Sequence, residues 1–386
     1  MARVRGRALY RDGGWDRFAG WPPGAALLTL VVALALLLAA ALGAPGTADE
    51  PVRAPAATGT ARPAADAPRD TDLRLYDRIA ERVGEGENYY RVAVEEQRAR
   101  DFPVRPGLAV RLPTLAVLGG LLGPAGMGTL AIVLAILTLF AWWVRVRETP
   151  LGAGYSKYVL LLLTIGAAAG FKPDYLALHE VWAGMLIALS LGLHRPEPDR
   201  AEPFSPGEPL GARWLGAVGV AALALAVREL ALPYVLLMGA MALARGQRGE
   251  ALAWGLLTLT FIAALLAHIA HVAQYTEPAD PLSPSWFALR GFSGAVSNIV
   301  LSSPLHLLPG WIAAPLALLP LLGWLAWRSA FGLTGFLLCA GYFLAFMIAG
   351  RDNNFYWALV VMPVWFVGYA FVPRAVRSLV LTALGR

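Results

Sequence analysis

DTDLRLYDRIAERVGEGENYYRVAVEEQRARDFPVRPGLAVRLPT, residues 70–114, is the only long segment of this chain that mixes carboxylates, arginines, tyrosines and prolines. Leu73, Tyr76, Ile79, Ala80 and Val83 recur at three- and four-residue spacing, so residues 72–83 are predicted to form an amphipathic helix capped by Asp70 or Thr71. Gly84 and Gly86 end it. A second helix is expected from about Glu87-Asn88, carrying Tyr89, Tyr90, Ala93, Val94 and Gln97. Phe102-Pro103 stops it, because the residue before a proline is pushed out of the helical region. Both helices are too short and too charged to cross a membrane. Their tyrosines and arginines suit its surface, with rings and stems in the interface and charges in water. The segment therefore reads as the functional loop of an all-α polytopic membrane protein.

Composition supports that class. Of 386 residues 58% are hydrophobic and 15% charged, against about 25% charged in soluble domains, and the mean hydropathy is +0.57. A soluble fold is excluded on these grounds. The single cysteine, Cys339, lies in an apolar run, so neither a disulfide framework nor a cysteine zinc site can form within one chain. The net charge of +6 does not point to nucleic acid, because the arginines lie mostly in short loops between apolar runs. They read as topology signals.

Outward from the loop, the chain divides by composition. Residues 1–20 hold Arg3, Arg5, Arg7, Arg11 and Arg17, and 21–44 contain the first apolar run. That run is longer than the ~7–15-residue core of a cleaved signal peptide, so an uncleaved anchor is preferred over cleavage after ALGA. Residues 45–69, rich in Ala, Pro, Gly and Thr, read as a flexible tether. The loop occupies 70–126, where 115–122 is an apolar piece too short to cross alone. A bundle over 127–372 and a tail over 373–386 complete the chain. Spans are expected near 24–42, 127–144, 156–170, 176–193, 214–227, 230–244, 252–272, 305–327, 330–348 and 355–372, about ten in all. Alternating them puts Arg145, Arg147, Arg195, Arg200, Arg213, Arg245, Arg248, Arg328, Arg374 and Arg377 on the side of the amino terminus. Both termini are then cytoplasmic and the loop faces outward.

This topology gathers the unusual polar residues on the outer side: Lys172, Asp174, His179 and Glu180, Arg228-Glu229, His268 and His271, the loop 274–298, and RDNNFYW at 351–357. The runs flanking Arg228-Glu229 have about fifteen residues each and rise roughly 22 Å, short of the ~30 Å hydrocarbon thickness. Their connecting turn should sit inside the protein, where a charge marks either a site or a buried pair that only fixes helix packing. His268 and His271, at i and i+3, offer a divalent metal two ligands with Glu180 as a third, but no further ligand is nearby in sequence, so no metal or other cofactor is assigned. RDNNFYW reads either as part of a site or as an interfacial turn with an aromatic belt.

An amino-terminal span, an outward loop with two amphipathic juxtamembrane helices, the run FPVRPGLAVRLPTLAVL with Phe102, Pro103, Pro106, Arg111, Leu112 and Pro113, and a short pair of spans joined at Arg228-Glu229 resemble the GT-C superfamily of integral-membrane glycosyltransferases. The resemblance covers most of the chain in organisation and only these short pieces in sequence. It implies transfer of a sugar from a polyprenyl-phosphate donor to a glycan, lipid or protein acceptor on the extracytoplasmic face, with inversion by a carboxylate base. Asp49-Glu50 holds the early position where the superfamily usually has its acidic pair, but lies in the tether. Asp72 opens a helix and is preferred, because a base must be held rigidly within reach of its proton, and Asp70 ranks third. Arg228, Arg351, Arg105 and Lys172 are the expected phosphate ligands, since a guanidinium fork matches phosphate oxygens. Tyr76, Glu87, Asn88, Tyr89, Tyr90, Arg111, Glu229, Asn354, Tyr356 and Trp357 are expected to line the sugar or lipid groove.

Two other classes stay open. A lipid or small-molecule transporter would also collect charge within the membrane, but should show two similar halves, and no internal repeat is found. A non-catalytic scaffold of cell-envelope glycan assembly would use the amphipathic helices for partners and tolerate loss of Asp72. High Arg and Ala with little Lys fits a GC-rich bacterial genome, hence a bacterial inner membrane; the partners expected are the lipid-linked donor, the acceptor and membrane lipids, with no nucleic acid.

Overall fold

The computed structural model describes residues 16–43, 71–149, 152–195 and 214–386. Among them the protein is all-helical, with three isolated β-bridges and no strand. The α-helices, in chain order, are α1 (Pro23–Leu42), α2 (Thr71–Gly84), α3 (Tyr89–Ala99), α4 (Thr114–Arg147), α5 (Gly152–Gly166), α6 (His179–Leu193), α7 (Leu215–Val227), α8 (Leu232–Ala244), α9 (Arg248–Ala273), α10 (Gly291–Leu301), α11 (Gly310–Ala326), α12 (Ala330–Ile348), α13 (Met362–Val367) and α14 (Val372–Ala383). Five stretches among the described residues are long and apolar enough to cross a membrane: Pro23–Leu42, Gly107–Arg147, Arg248–Ala273, Ala330–Ile348 and Met362–Ala383. The protein is a helical membrane protein.

Each apolar run picked out in the sequence is helical, with instructive shifts. Residues 115–122 form a first helical piece: α4 starts at Thr114, and two helices meet at a kink at Gly123, which is non-helical (φ +63°, ψ 179°) ahead of Pro124. Gly123, free of a Cβ, takes the left-handed φ that turns the chain, and Pro124, with no N–H to leave unpaired, opens the second helix. The part before the kink is the seat of α2. Residues 291–298, the end of the expected loop 274–298, are helical and belong to α10, and the tail over 373–386 is mostly the amphipathic α14, packed on α1 and α11. The last apolar run is broken into a 3-10 helix (Asp352–Val360), α13, and a second 3-10 helix (Gly368–Phe371). Irregular backbone at such depth survives only where protein covers it, and residues 357–368 are buried throughout. Gly184 of α6 makes this possible, since a Cβ there would overlap the Leu359 carbonyl oxygen.

The core is built around tryptophans whose indole N–H groups all need acceptors in an apolar interior. Trp142 donates to the Ala188 carbonyl at 2.8 Å, Trp324 to Val364 at 3.0 Å and Trp365 to Ala317 at 2.9 Å. These bonds tie α4 to α6 and α11 to the broken segment.

The bundle has two chemically different ends. At one, Arg17 donates to the Leu325 carbonyl (2.8 Å), Ser378 to Asp16 (2.7 Å), Arg195 pairs with Glu148 (2.5 Å), and Glu250 meets His194 (2.8 Å) and Arg245 (3.0 Å). We call this the basic end. At the other, the capped end, α2 and α3 lie over the bundle.

Candidate functional site

The cap is held by shape and by charge. Leu75, Ile79, Tyr89, Val92, Val94, Val104, Val110 and Val272 form a buried apolar cluster of their own. The apolar faces of α2 and α3, which the sequence suited to the membrane surface, are thus covered by each other and by the top of α9. Gly84 of α2 and Gly120 of α4 sit backbone to backbone: a Cβ on Gly120 would stand 2.7 Å from the Ala80 carbonyl oxygen. Arg98 of α3 forms a two-point bond with Asp280, 2.6 Å and 2.8 Å, and also donates to the Tyr275 carbonyl. Arg98 holds the Asp280 carboxyl below the usual carboxylate range.

Under this cap lies a polar cluster drawn from five segments. Arg228 is extended (φ −152°, ψ 122°) between α7 and the 3-10 turn Glu229–Ala231. Pro233, with no N–H and a ring that would crowd the Glu229 carbonyl, prevents α7 and α8 from joining into one helix. The break leaves the Arg228 guanidinium 1% exposed inside the protein. Its Nε donates to Glu180 at 2.8 Å, its Nη1 pairs with Glu229, and its carbon stands 5.9 Å from the Trp357 ring centre. Above it, half-buried Arg111 donates to the Tyr76 hydroxyl at 3.1 Å while the Tyr89 hydroxyl donates to the Arg111 carbonyl. Arg111 is within electrostatic reach of Glu180, Tyr356 and Glu229. The Tyr76 ring meets His179 edge-on at 5.2 Å.

The cluster is deeply buried on one side and half-buried on the other. His179, Glu180, Arg228 and Trp357 are buried, whereas Tyr76, Arg111, Glu229 and Tyr356 keep partial exposure. Three of the buried members carry a polar atom with no hydrogen-bond partner among the described residues: Arg228 Nη2, Trp357 Nε1 and His179 Nδ1. Each such atom costs about 1–3 kcal/mol when left unpaired, so three in one cluster are a strong demand for a polar ligand. Two are donors, on or beside a cation.

Several residues expected at the site are placed elsewhere. Arg105 donates to the Pro278 carbonyl in the 274–290 loop. Lys172 is exposed with its ammonium 5.0 Å from the Tyr175 ring. Tyr90 stacks on His271 at 5.2 Å and faces His268. Glu87 pairs with Arg82 and Arg91, and Asn88 caps α3 by accepting from Tyr90 and Arg91 N–H groups. Arg351 and Asn354 bond each other in the turn preceding Tyr356 and Trp357, so they position the aromatic pair. Asp49 and Asp70 lie outside the described residues. Asp72 falls in the first turn of α2, its side chain outside the described ones.

His179, Glu180 and Asp77 carry more here than their sequence context indicated. Glu180 is the carboxylate that grips Arg228. His268 faces the Val110 carbonyl (3.0 Å) and His271 the Ala267 carbonyl, and no group of three metal-binding side chains occurs among the described residues. Asp77, next to Tyr76, has its carboxyl raised by partial burial and by the charge of Asp174. The signal for His179-Glu180 was present in sequence, as a buried-helix start beside FKPDY, but its partner was 48 residues away. No protein-family model matches this chain, and comparison with curated proteins and with solved structures finds no significant match.

Proposed function

We propose that this protein is a membrane glycosyltransferase that moves a sugar from a polyprenyl-phosphate donor to an acceptor on the extracytoplasmic face. The observation that carries the reading is the pair of arginines, Arg111 and Arg228, held under an amphipathic cap with Arg228 Nη2 and Trp357 Nε1 without partners among the described residues. Guanidinium forks with spare donors match phosphate oxygens, and a site at the end of an apolar bundle suits a ligand that is half lipid.

In this reading ten apolar segments cross the membrane, the five long ones together with α5, α6, α7, α8 and α11. The basic end is cytoplasmic, in a bacterial inner membrane, and the capped end faces outward. The arginines of the short loops at the basic end, Arg145, Arg147, Arg195, Arg245, Arg248 and Arg328, support the orientation.

The chemistry follows from the residues. The acceptor hydroxyl attacks the anomeric carbon on the face opposite the phosphate. The carbon–oxygen bond to phosphate breaks, its electrons go to the leaving phosphate, and Arg111 and Arg228 stabilise the charge that develops there. A carboxylate takes the hydroxyl proton. Asp72 and Asp77, on the same helix as Tyr76, are the two candidates for that base. Glu180 and Glu229 are committed to Arg228 and orient it.

The test is deletion of the gene in its host, complementation with wild type, Asp72→Asn or Asp77→Asn at matched membrane expression, and mass analysis of lipid-linked sugars and surface glycans. The expected result is loss of one sugar from a surface glycan and accumulation of its polyprenyl-phosphate form, cured by wild type and not by the variant lacking the base. Unchanged glycans and unchanged lipid-linked sugars in the deletion would overturn the reading.

A further inference from the structure

The phosphate site proposed above accounts for the two unpartnered donors of the cluster but not for its third unpartnered atom, and the inference drawn from that atom rests on the same reading. His179 is the first residue of α6 and 4% exposed. One ring nitrogen faces the Leu112 carbonyl, and Nδ1 is buried with no hydrogen-bond partner among the described residues. A neutral imidazole has one donor and one acceptor nitrogen. The nitrogen turned to a carbonyl oxygen carries the proton, so Nδ1 presents a lone pair. The Tyr76 ring meets His179 edge-on at 5.2 Å and its hydroxyl accepts from Arg111, and no described group donates to Nδ1.

An acceptor is the wrong group for a phosphate oxygen, since two lone pairs would face each other. It is the right group for a hydroxyl. His179 and Glu180 are consecutive, with Cα atoms about 3.8 Å apart, and Glu180 grips the Arg228 guanidinium. His179 lies within electrostatic reach of both Arg111 and Arg228 and shares the Tyr76 side chain with Arg111, so one ligand can place a hydroxyl at Nδ1 and a phosphate at the arginines.

We propose that His179 is a specificity-determining residue whose Nδ1 accepts a hydrogen bond from a hydroxyl two carbons from the ester oxygen of the bound phosphate. The ligand class is then a phosphodiester with one lipid arm and one arm bearing a free hydroxyl at that position, as a glycosyl phosphate with an unsubstituted 2-hydroxyl does. No bond is made or broken by His179.

The experiment uses two probes with the same lipid and the same charge, citronellyl ethyl phosphate and citronellyl 2-hydroxyethyl phosphate, titrated calorimetrically into the full-length protein in detergent. Wild type is expected to prefer the hydroxyethyl ester by about five- to tenfold, the usual net worth of one added hydrogen bond. His179→Phe should bring that ratio to one, and His179→Asn, whose Oδ1 stands close to the position of Nδ1, should restore part of it. The ratio is the readout that a merely structural histidine would not move: if His179→Phe weakens both esters and keeps the preference, the proposal is overturned. Equal binding of the two esters by wild type overturns it as well, while leaving the phosphate site standing. Binding of neither ester, nor of citronellyl phosphate itself, overturns the phosphate site and this proposal together. Thermal unfolding in the same detergent checks that the phenylalanine variant is folded, and the asparagine variant carries the test if it is not.

Discussion

Arg228 decides most of what happens at the residue scale. Its guanidinium is out of water between Glu180 and Glu229, and charges so placed are costly unless paired and hydrogen-bonded. One cation between two carboxylates leaves an excess negative charge, which half-buried Arg111 offsets from above. A cluster built only to fix helix packing would use every donor, whereas Arg228 Nη2 has none of its bonding met by the described residues. Arg228→Met should therefore do two separable things. Buried Glu180 and half-buried Glu229 lose their partner, a loss worth about 3–5 kcal/mol, read as a lowered thermal midpoint in detergent. Adding Glu180→Leu and Glu229→Leu should recover much of that midpoint, because the uncompensated charges go too. Binding of citronellyl phosphate should be lost in both variants, and a triple variant that still bound it would remove Arg228 from the phosphate site.

At the scale of elements, the cap is the part with the most to test. α2 sits on α4 through Gly84 and Gly120, where two backbones touch and no side chain fits. Gly120→Leu is expected to push α2 off its seat at a cost of about 1–3 kcal/mol, seen as faster amide exchange across α2 and α3 with α6 and α12 unchanged. Slow exchange in α2 would mean that the contact tolerates a side chain. The other fastening, Arg98–Asp280, is electrostatic. A carboxyl whose folded value is depressed stabilises above its unfolded value and loses that contribution as pH falls through the folded one. The tether of α3 to the 274–290 loop should hold at neutral pH and weaken below about pH 4, where free aspartate protonates. Amide exchange of α3 measured against pH, with Asp280→Asn as the variant that abolishes the dependence, checks the sign.

The whole molecule has a clear polarity of charge. Asp16, Arg17, Arg195, Arg245 and Ser378 meet at one end, and α2, α3 and the 274–290 loop cover the other. The ten-crossing arrangement predicts that these ends lie on opposite sides of the membrane. Cys339 is fully buried, so single cysteines can be placed against a silent background. Glu277→Cys and Asp352→Cys should react with an impermeant maleimide from outside intact spheroplasts. Arg147→Cys and Arg248→Cys should react only after permeabilisation. Any position labelled from the side opposite its end would break the arrangement at the intervening helix.

What the sequence determined by itself was whatever depends on near neighbours. Length and apolarity of each run made the helices; the 3.6-residue period of Leu73, Tyr76, Ile79 and Val83 made α2 amphipathic; Asn88 capped α3; Pro233 broke the chain at Arg228. The break over 355–371 was hinted at only by Pro363 and Gly368 inside an otherwise apolar run, and packing against Gly184 and its neighbours is what allows irregular backbone there. The membership of the cluster was half legible. Arg228, Glu229, Tyr76, Arg111 and Trp357 stood out as polar or aromatic groups at apolar boundaries. Their pairing did not, since Arg228 finds Glu180 across 48 residues and Arg111 finds Tyr76 across 35. Tyr90, Arg105 and Lys172 have the same chemistry as residues of the site and lie outside it. Residue type sets what a side chain can bind; which groups share one buried volume is set by how helices far apart in sequence pack, and that is a property of the tertiary structure alone.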